Sequence, residues 1–284
     1  MIKFGLHVFT WTSRMDNQAL DYLPKLKEMG YDGIEIPLVA DHLEFLDPVY
    51  VQDKLAETQM ECVTGTGFTA DMSIISDNPG IREKGMAHMK RCIDLTADVG
   101  AQLITGALYA PIGLRPQGGR TPTQWERSVT NLREIARYAA EKGVILGLEP
   151  LNRYEVFFLN TAADAVALAK AIGEPNVKVH LDTYHMNIEE KDIYRTVVET
   201  GEFLGHVHCS ENDRGTPGTG HVDWDGLIRG LLEVNYDGWI VIESFFEPIP
   251  AISDLTPIWR KLAPSADVLA REGLEFIKKK LSQL

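Results

Sequence analysis

Four residues with the chemistry of metal ligands or proton carriers stand at matching points along this sequence: Glu149 in "VILGLEP", Asp182 in "VKVHLDT", His208 in "LGHVHCSE" and Glu243 in "WIVIESF". Each closes a short run rich in aliphatic and β-branched residues, the composition of a buried strand. The four are 33, 26 and 35 residues apart in turn, and one strand–helix–strand unit takes about 30 residues. Successive side chains of a strand take opposite faces. Asp182 therefore shares a face with His180, opposite Val177, Val179 and Leu181. Val207 opposes His206 and His208, and Ile240 and Ile242 oppose Glu243. A lone strand-end carboxylate is commonly a helix cap. Recurrence at one-repeat spacing points instead to a shared site. Three carboxylates brought together repel, and each then resists ionisation. A divalent cation removes that conflict. Three carboxylate oxygens and one imidazole nitrogen suit manganese, magnesium or cobalt better than the thiolate sets of structural zinc.

Residues this far apart meet only if the chain repeats one unit. Eight short β-rich runs alternate with amphipathic stretches: "IKFGLHV", "GIEIPL", "ECVTGTG", "QLITGAL" and then the four already quoted. Among the helical stretches, "ALDYLPKLKEMG" comes first. In "NPGIREKGMAHMKRCIDLTADVG", Gly100 is the expected C-cap. In "TPTQWERSVTNLREIARYAAEKG", Thr121 or Thr123 can cap the start, Pro122 suits the first turn and Gly143 ends the helix. "ADVLAREGLEFIKKKLSQL" reads as the last helix, its basic cluster suited to a helix C-terminus. The alternation predicts an α/β protein, a (β/α)8 TIM barrel over residues 1–284 as one domain, because no Pro/Ser-rich linker divides the chain. A doubly wound open sheet would carry a glycine fingerprint after its first strand, and none stands there. In a barrel the strand C-termini hold the chemistry, which is where the four residues fall.

Bulk properties narrow the function. A formal net charge of −13 opposes binding to nucleic-acid phosphates and gives no attraction to an acidic membrane. No apolar run approaches the ~18 residues of a membrane span, and "MIKFGLHVFTW" reads as a strand, not a signal peptide. Three cysteines and no CxxC pair fit a reducing compartment, so the expectation is a cytoplasmic protein.

The motifs "GLEPLNRYE", "HLDTYHMNIEE", "GHVHCSENDRGTPGTG" and "ESF" resemble the D-tagatose 3-epimerase family, which includes the D-psicose (D-allulose) and L-ribulose 3-epimerases, within the xylose-isomerase-like barrels. The likeness runs from "FGLHVFTW" to the final helix, and "HLDTYHMNIEE" is its most specific motif. The resemblance implies a ketose 3-epimerase acting on a small-molecule ketose. Glu149, Asp182, His208 and Glu243 would be the metal ligands, with manganese(II) foremost. Glu149 and Glu243 would also be the acid/base pair. Glu155 would bind near carbon 1 of the substrate, and His185 and Arg214 would contact the oxygens beside the metal. A homodimer or homotetramer is implied as well. Residue chemistry agrees. Epimerisation beside a ketone removes a proton from one face of a planar enediolate and returns one to the other, so it needs two groups.

The remaining candidates are weaker. Glu35 is expected in a buried hydrogen-bonded role, His206 one layer below His208, and His221 as a loop anchor. Phe9 and Trp11 could form an apolar wall or plain core, and His7 could face the mouth. After the fourth run, "GALYAPIG" carries Tyr109 and Ile112 where D-psicose-type members often place a tryptophan. A looser wall and activity on several ketoses are therefore expected. Competing functions are an aldose–ketose, hydroxypyruvate or inosose isomerase on the same barrel, an endonuclease IV-like repair enzyme and an inactive sugar-binding protein. Eight histidines and a charge of −13 speak against the multi-metal nuclease, and the Glu149/Glu243 pair against the inactive binder.

Overall fold

Strand–helix alternation produces a closed parallel barrel. The computed structural model of the chain describes residues 1–13, 15–249 and 258–283. Within these, eight strands pair in chain order and close on themselves: β1 (Lys3–His7), β2 (Gly33–Pro37), β3 (Glu61–Gly65), β4 (Leu103–Gly106), β5 (Ile145–Leu148), β6 (Val177–Asp182), β7 (Leu204–Cys209) and β8 (Trp239–Ile242). The helices are α1 (Leu23–Met29), α2 (Pro48–Thr58), α3 (Pro79–Asp98), α4 (Pro122–Glu141), α5 (Ala162–Ile172), α6 (Thr183–Glu189), α7 (Ile193–Thr200), α8 (Trp224–Glu233) and α9 (Ala266–Gln283). Leu284, the final residue of the predicted last helix, lies outside the described residues.

Period-two patterning builds two apolar zones with a polar one between them. Leu6, Ile34, Ile104, Leu146, Val179, Leu181, Val207 and Ile240 leave the barrel outward and are buried in the main core. Inside the barrel, Val63, Leu103 and Val241 pack with Trp239 into a separate cluster. Each of the three stands two residues before an inward position nearer the mouth, so this cluster is the barrel floor. Gly33 makes room for it. A Cβ there would meet the Trp239 ring at 2.6 Å and the Glu61 carbonyl at 2.3 Å. Above the floor the inward positions turn polar: Glu35, Thr105, His180 and His206, all at most 2% exposed.

Helix ends follow the expected chemistry with small shifts. Thr121, not Thr123, caps α4, in a capping box with Gln124. Helix α3 ends one residue earlier than expected. Val99 is its C-cap, and Gly100 follows with φ +82°, the left-handed conformation that favours glycine. "ALDYLPKLKEMG" divides into a 3-10 turn over Asn17–Tyr22 and then α1. Pro24 occupies the first turn of α1, where its missing N–H costs nothing. Among the described residues no helix is long and apolar enough to cross a membrane.

Candidate active site

At the C-terminal ends of β5 to β8 the four carboxylate and imidazole groups converge. Glu149 directly follows β5, Asp182 is the last residue of β6, His208 is the last but one of β7 and Glu243 directly follows β8. One potential ligand atom from each lies within 4.8 Å of all the others. Asp182 does two jobs. Its Oδ1 accepts from Tyr184 N at 2.8 Å and caps α6, while its Oδ2 accepts from Arg214 Nη1 at 2.7 Å within the cluster. The cap and the cluster member, alternatives in the sequence, are one residue using two oxygens.

A buried layer beneath orients His208. Glu35 Oε2 lies 2.8 Å from His208 Nε2 and 3.0 Å from His206 Nε2. Burial alone would raise the Glu35 carboxyl, but the two imidazoles override it and hold the group well below the usual carboxylate range. With Nε2 held by Glu35, His208 turns Nδ1 to the cluster; burial would lower the imidazole, but the charges of Glu35 and Glu243 raise it well above its ordinary value, so a cation would take the place of the Nδ1 proton. Nδ1 is buried, has no hydrogen-bond partner among the described residues, and lies 3.4 Å from Glu243 Oε2. A carboxylate behind an imidazole whose other nitrogen faces three carboxylates is the arrangement that fixes a histidine as a metal ligand. The donor set could therefore hold a divalent cation. His180 completes the layer, with Nδ1 2.6 Å from Thr105 Oγ1 and its ring edge-on to those of His206 and His208. Glu35 and His206 thus occupy the buried roles expected of them.

The protein alone pushes the two glutamates apart. Burial, reinforced by the charges of Glu243 and Asp182 and only partly opposed by His208, drives Glu149 well above the ordinary carboxylate value. Burial acts on Glu243 too, but Arg214 and His208 outweigh it and hold that group well below. Arg214 Nη1 reaches Glu243 Oε2 at 2.5 Å as well as Asp182. Its guanidinium lies 4.2 Å from the Tyr184 ring centroid, and its backbone has φ +67°. A non-glycine residue in that region is uncommon and costs strain that the surrounding structure must hold in place.

Glu211 supplies much of that hold, although neither periodicity nor repeat spacing singles it out. It is fully buried in the loop after β7. Oε1 accepts from Gly218 N at 2.8 Å and Trp224 Nε1 at 2.7 Å, and Oε2 accepts from Asn212 N at 3.2 Å and Val222 N at 3.4 Å. One carboxylate thus gathers the loop that carries Arg214. The one weak signal in the sequence is an acid opening a stretch of turn residues that ends in tryptophan. Glu211→Gln would turn an amide N–H₂ toward donors already in place. A buried unsatisfied group costs about 1–3 kcal/mol, so the melting temperature should drop by several degrees. An unchanged thermal transition would show that the carboxylate does not hold the loop.

His185, on α6, comes to the same place. Its Nδ1 accepts from Asn152 N at 3.1 Å, so in the neutral ring Nε2 carries the proton. Burial and the neighbouring Arg214 charge hold His185 well below the usual imidazole value, which keeps it neutral. Its Nε2 lies 3.7 Å from both Glu149 Oε1 and Asp182 Oδ2, and 3.1 Å from Arg214 Nη2. An imidazole N–H and a guanidinium N–H thus face each other. Two donors meeting this way are satisfied by one oxygen accepting from both. Glu155 stands beside them, accepting from Asn152 Nδ2 at 2.8 Å. Burial, against the pull of Arg214, pushes its carboxyl up to about 7. All seven expected site residues are therefore gathered at one end of the barrel.

A cavity of about 640 Å³ opens over this cluster, within the range of small-molecule sites. Glu149, Glu155, His185, His208, Arg214 and Glu243 line it together with apolar Phe9, Leu38, Phe68, Ile112 and Phe245. His7 faces the mouth, with Nε2 3.9 Å from Glu243 Oε1. Phe9 belongs to the wall, whereas Trp11 stacks on Tyr22 and is absent from the cavity lining. His221 sits in the loop gathered by Glu211, its backbone N–H donating to Asn212 Oδ1 at 3.2 Å. Tyr109 corrects the sequence expectation. It is fully buried behind the site, and its hydroxyl donates to the Glu149 carbonyl at 2.8 Å. It anchors the Glu149 backbone and forms no substrate wall. Of the pair, Ile112 alone lines the cavity.

The sequence matches the family model described as xylose isomerase-like TIM barrel over residues 23–280. It is 33% identical over 286 residues to the ketose 3-epimerase of Arthrobacter globiformis, covering 100% of this chain and 98% of that protein. It is 34% identical over 282 residues to the L-ribulose 3-epimerase of Methylomonas sp. (strain DH-1), covering 98% of each. The crystal structure of D-allulose 3-epimerase from Methylomonas sp. in complex with D-allulose superposes with a TM-score of 0.93 at 33% identity, over 98% of this chain and 97% of that one. Full-length identity above 30% to these proteins, on the same barrel, makes the chain a member of the ketose 3-epimerases, isomerase-class carbohydrate epimerases of the xylose isomerase-like TIM barrel family.

Proposed function

We propose that the chain is a metal-dependent ketose 3-epimerase, interconverting carbon-3 epimers of free ketohexoses and ketopentoses of the D-tagatose, D-psicose/D-fructose and L-ribulose type through a cis-enediolate. The observation that carries this is the convergence of Glu149, Asp182, His208 and Glu243 within 4.8 Å, beneath a cavity that also receives two facing N–H donors, from His185 and Arg214. The orphaned, buried His208 Nδ1 and the three carboxylates fit a divalent cation, with manganese(II) first and cobalt(II) or magnesium as alternatives. Such an ion would act as a Lewis acid and offset the negative charge that develops on the substrate oxygens.

The protein groups then divide the proton work. Glu243, kept ionised by the adjacent Arg214, suits the role of base and takes the carbon-3 proton. The electron pair left behind moves into the carbonyl, giving the enediolate. Glu149, carrying a proton at the start of the cycle, returns it to the opposite face. One proton leaves and one arrives, carbon 3 is inverted, and the two carboxyls exchange protonation states, ready for the reverse reaction. His185 Nε2–H and Arg214 would donate to the oxygen on which charge develops. Glu155 would hold the hydroxyl at carbon 1.

Free, buried Cys62, Cys92 and Cys209 are in keeping with a reducing cytosol, and family membership with a homodimer or homotetramer, which sedimentation velocity would measure. The deciding experiment is a product screen with manganese(II) over D-fructose, D-tagatose and L-ribulose. Carbon-3 epimers are expected from at least one ketohexose and one ketopentose. Aldoses as the products would replace this reading with an aldose–ketose isomerase on the same site.

A further inference from the structure

Eight strands in a ring put β3 opposite β7, so a ligand held over His208 extends across the mouth toward the end of β3. There the cavity meets a histidine that the chemistry above leaves unused. His88 stands on α3, is 8% exposed and lines the cavity. Its Nε2 is 3.3 Å from Thr66 Oγ1. That hydroxyl gives its own proton to the Leu38 carbonyl at 2.8 Å, so toward the histidine it can only accept. Nε2 therefore carries the ring proton, and Nδ1 keeps a lone pair. Among the described residues the group within reach of Nδ1 is the Cys92 thiol, a weak donor that lies 3.9 Å from Nδ1 and nearer to Nε2, at 3.5 Å. Burial holds His88 below the ordinary imidazole value, so the ring stays neutral at neutral pH and the lone pair persists. The cavity wall here is mixed, with Thr66, Thr69, Asp71 and Lys84 lining it beside apolar residues. Phe68 meets the ring edge-on at 6.4 Å between centroids, and Ile112 lines the same cavity. An imidazole nitrogen whose partner is a weak thiol donor favours a ligand that brings a hydroxyl to it over one that leaves it so paired.

We propose that His88 is a specificity-determining residue: it accepts a hydrogen bond from the terminal hydroxyl of a six-carbon ketose whose carbonyl end is held over Glu149, Asp182, His208 and Glu243, and so favours ketohexoses over ketopentoses. The inference rests on the ketose reading and names the substrate length that reading leaves open. His88 touches neither the carboxylates nor the reacting carbons, so its removal should act on affinity and not on the chemical step.

The test uses the full-length, manganese-loaded protein with His88→Phe, which keeps an aromatic ring and removes the acceptor. Binding of D-fructose and L-ribulose is measured by titration calorimetry, alongside kcat and KM for each. The expected result is about a tenfold loss of affinity and rise in KM for the ketohexose, the scale of one lost hydrogen bond. Its kcat should be little changed, and the ketopentose should be unaffected. His88→Gln should recover most of the loss, because its amide oxygen can accept. If His88→Phe does not fold, His88→Leu carries the same expectation. Equal losses on both sugars, no loss on either, or no recovery by glutamine would overturn the assignment. Calorimetry reads binding without turnover, so it decides the role of His88 even where the wild-type protein epimerises no ketose. That separate outcome would overturn the epimerase reading itself.

Discussion

Dialysis against a strong chelator should abolish turnover, and manganese(II) should restore it, with cobalt(II) or magnesium as partial substitutes. The expectation follows from charge. Glu149, Asp182 and Glu243 bring three carboxylates within 4.8 Å of one another, with Arg214 offering one compensating charge to two of them. Without a cation the charge that develops on the substrate is left to the His185 and Arg214 donors, and Glu149 is driven toward its neutral form. Stability should respond as well. An ion that binds only the folded chain stabilises it by about 2.7 kcal/mol at a hundredfold excess over its dissociation constant. For a chain of this size that corresponds to a shift of roughly 2–4 °C in melting temperature per kcal/mol. A calorimetric scan of stripped and reloaded protein therefore gives a readout independent of activity. Full turnover by protein shown to be metal-free, or a melting temperature indifferent to manganese(II), would remove the four residues from the role of ligands.

The quartet is legible in the sequence because strands enforce it. Period-two alternation in "VKVHLDT" and "LGHVHCSE" orients Asp182 and His208 toward the same space, and repeat spacing makes the strands neighbours. The eight strands and the direction of their side chains follow from the same local rule. Legibility stops where the strand does. β4 ends at Gly106 with φ +122°, and beyond it alternation no longer tells which way Tyr109 points. Family resemblance puts it on the substrate wall, whereas the backbone carries it behind Glu149. His88 is hidden for another reason. At helical spacing from Cys92 it reads as one more residue on the buried face of α3, and only the approach of the β3 end across the barrel rim turns it toward the cavity. Glu211 and the left-handed Arg214 belong to a loop whose conformation depends on four converging N–H donors, some from residues well separated in the chain. Such convergence has no period to detect.

Glu149→Gln and Glu243→Gln should each abolish net epimerisation while leaving different partial reactions intact. Each substitution keeps size and shape and removes one proton carrier. General acid–base groups contribute about 10²–10⁴-fold each. Because inversion at carbon 3 needs both faces served, loss of either group blocks the full cycle. The half-reactions separate the roles. With Glu149 replaced, Glu243 can still remove the carbon-3 proton of the epimer that presents it to that face, and return it to the same face. In deuterated water that variant should label one epimer and leave its partner unlabelled. With Glu243 replaced, the labelled epimer should be the other one. Proton NMR on each epimer incubated separately reads this directly, and metal content must be measured on the same samples, since loss of the ion would mimic loss of the base. If a metal-loaded glutamine variant still interconverts the epimers near the wild-type rate, the two-carboxylate assignment is wrong. Glu155 and His185, which share the cavity, then become the groups to replace next.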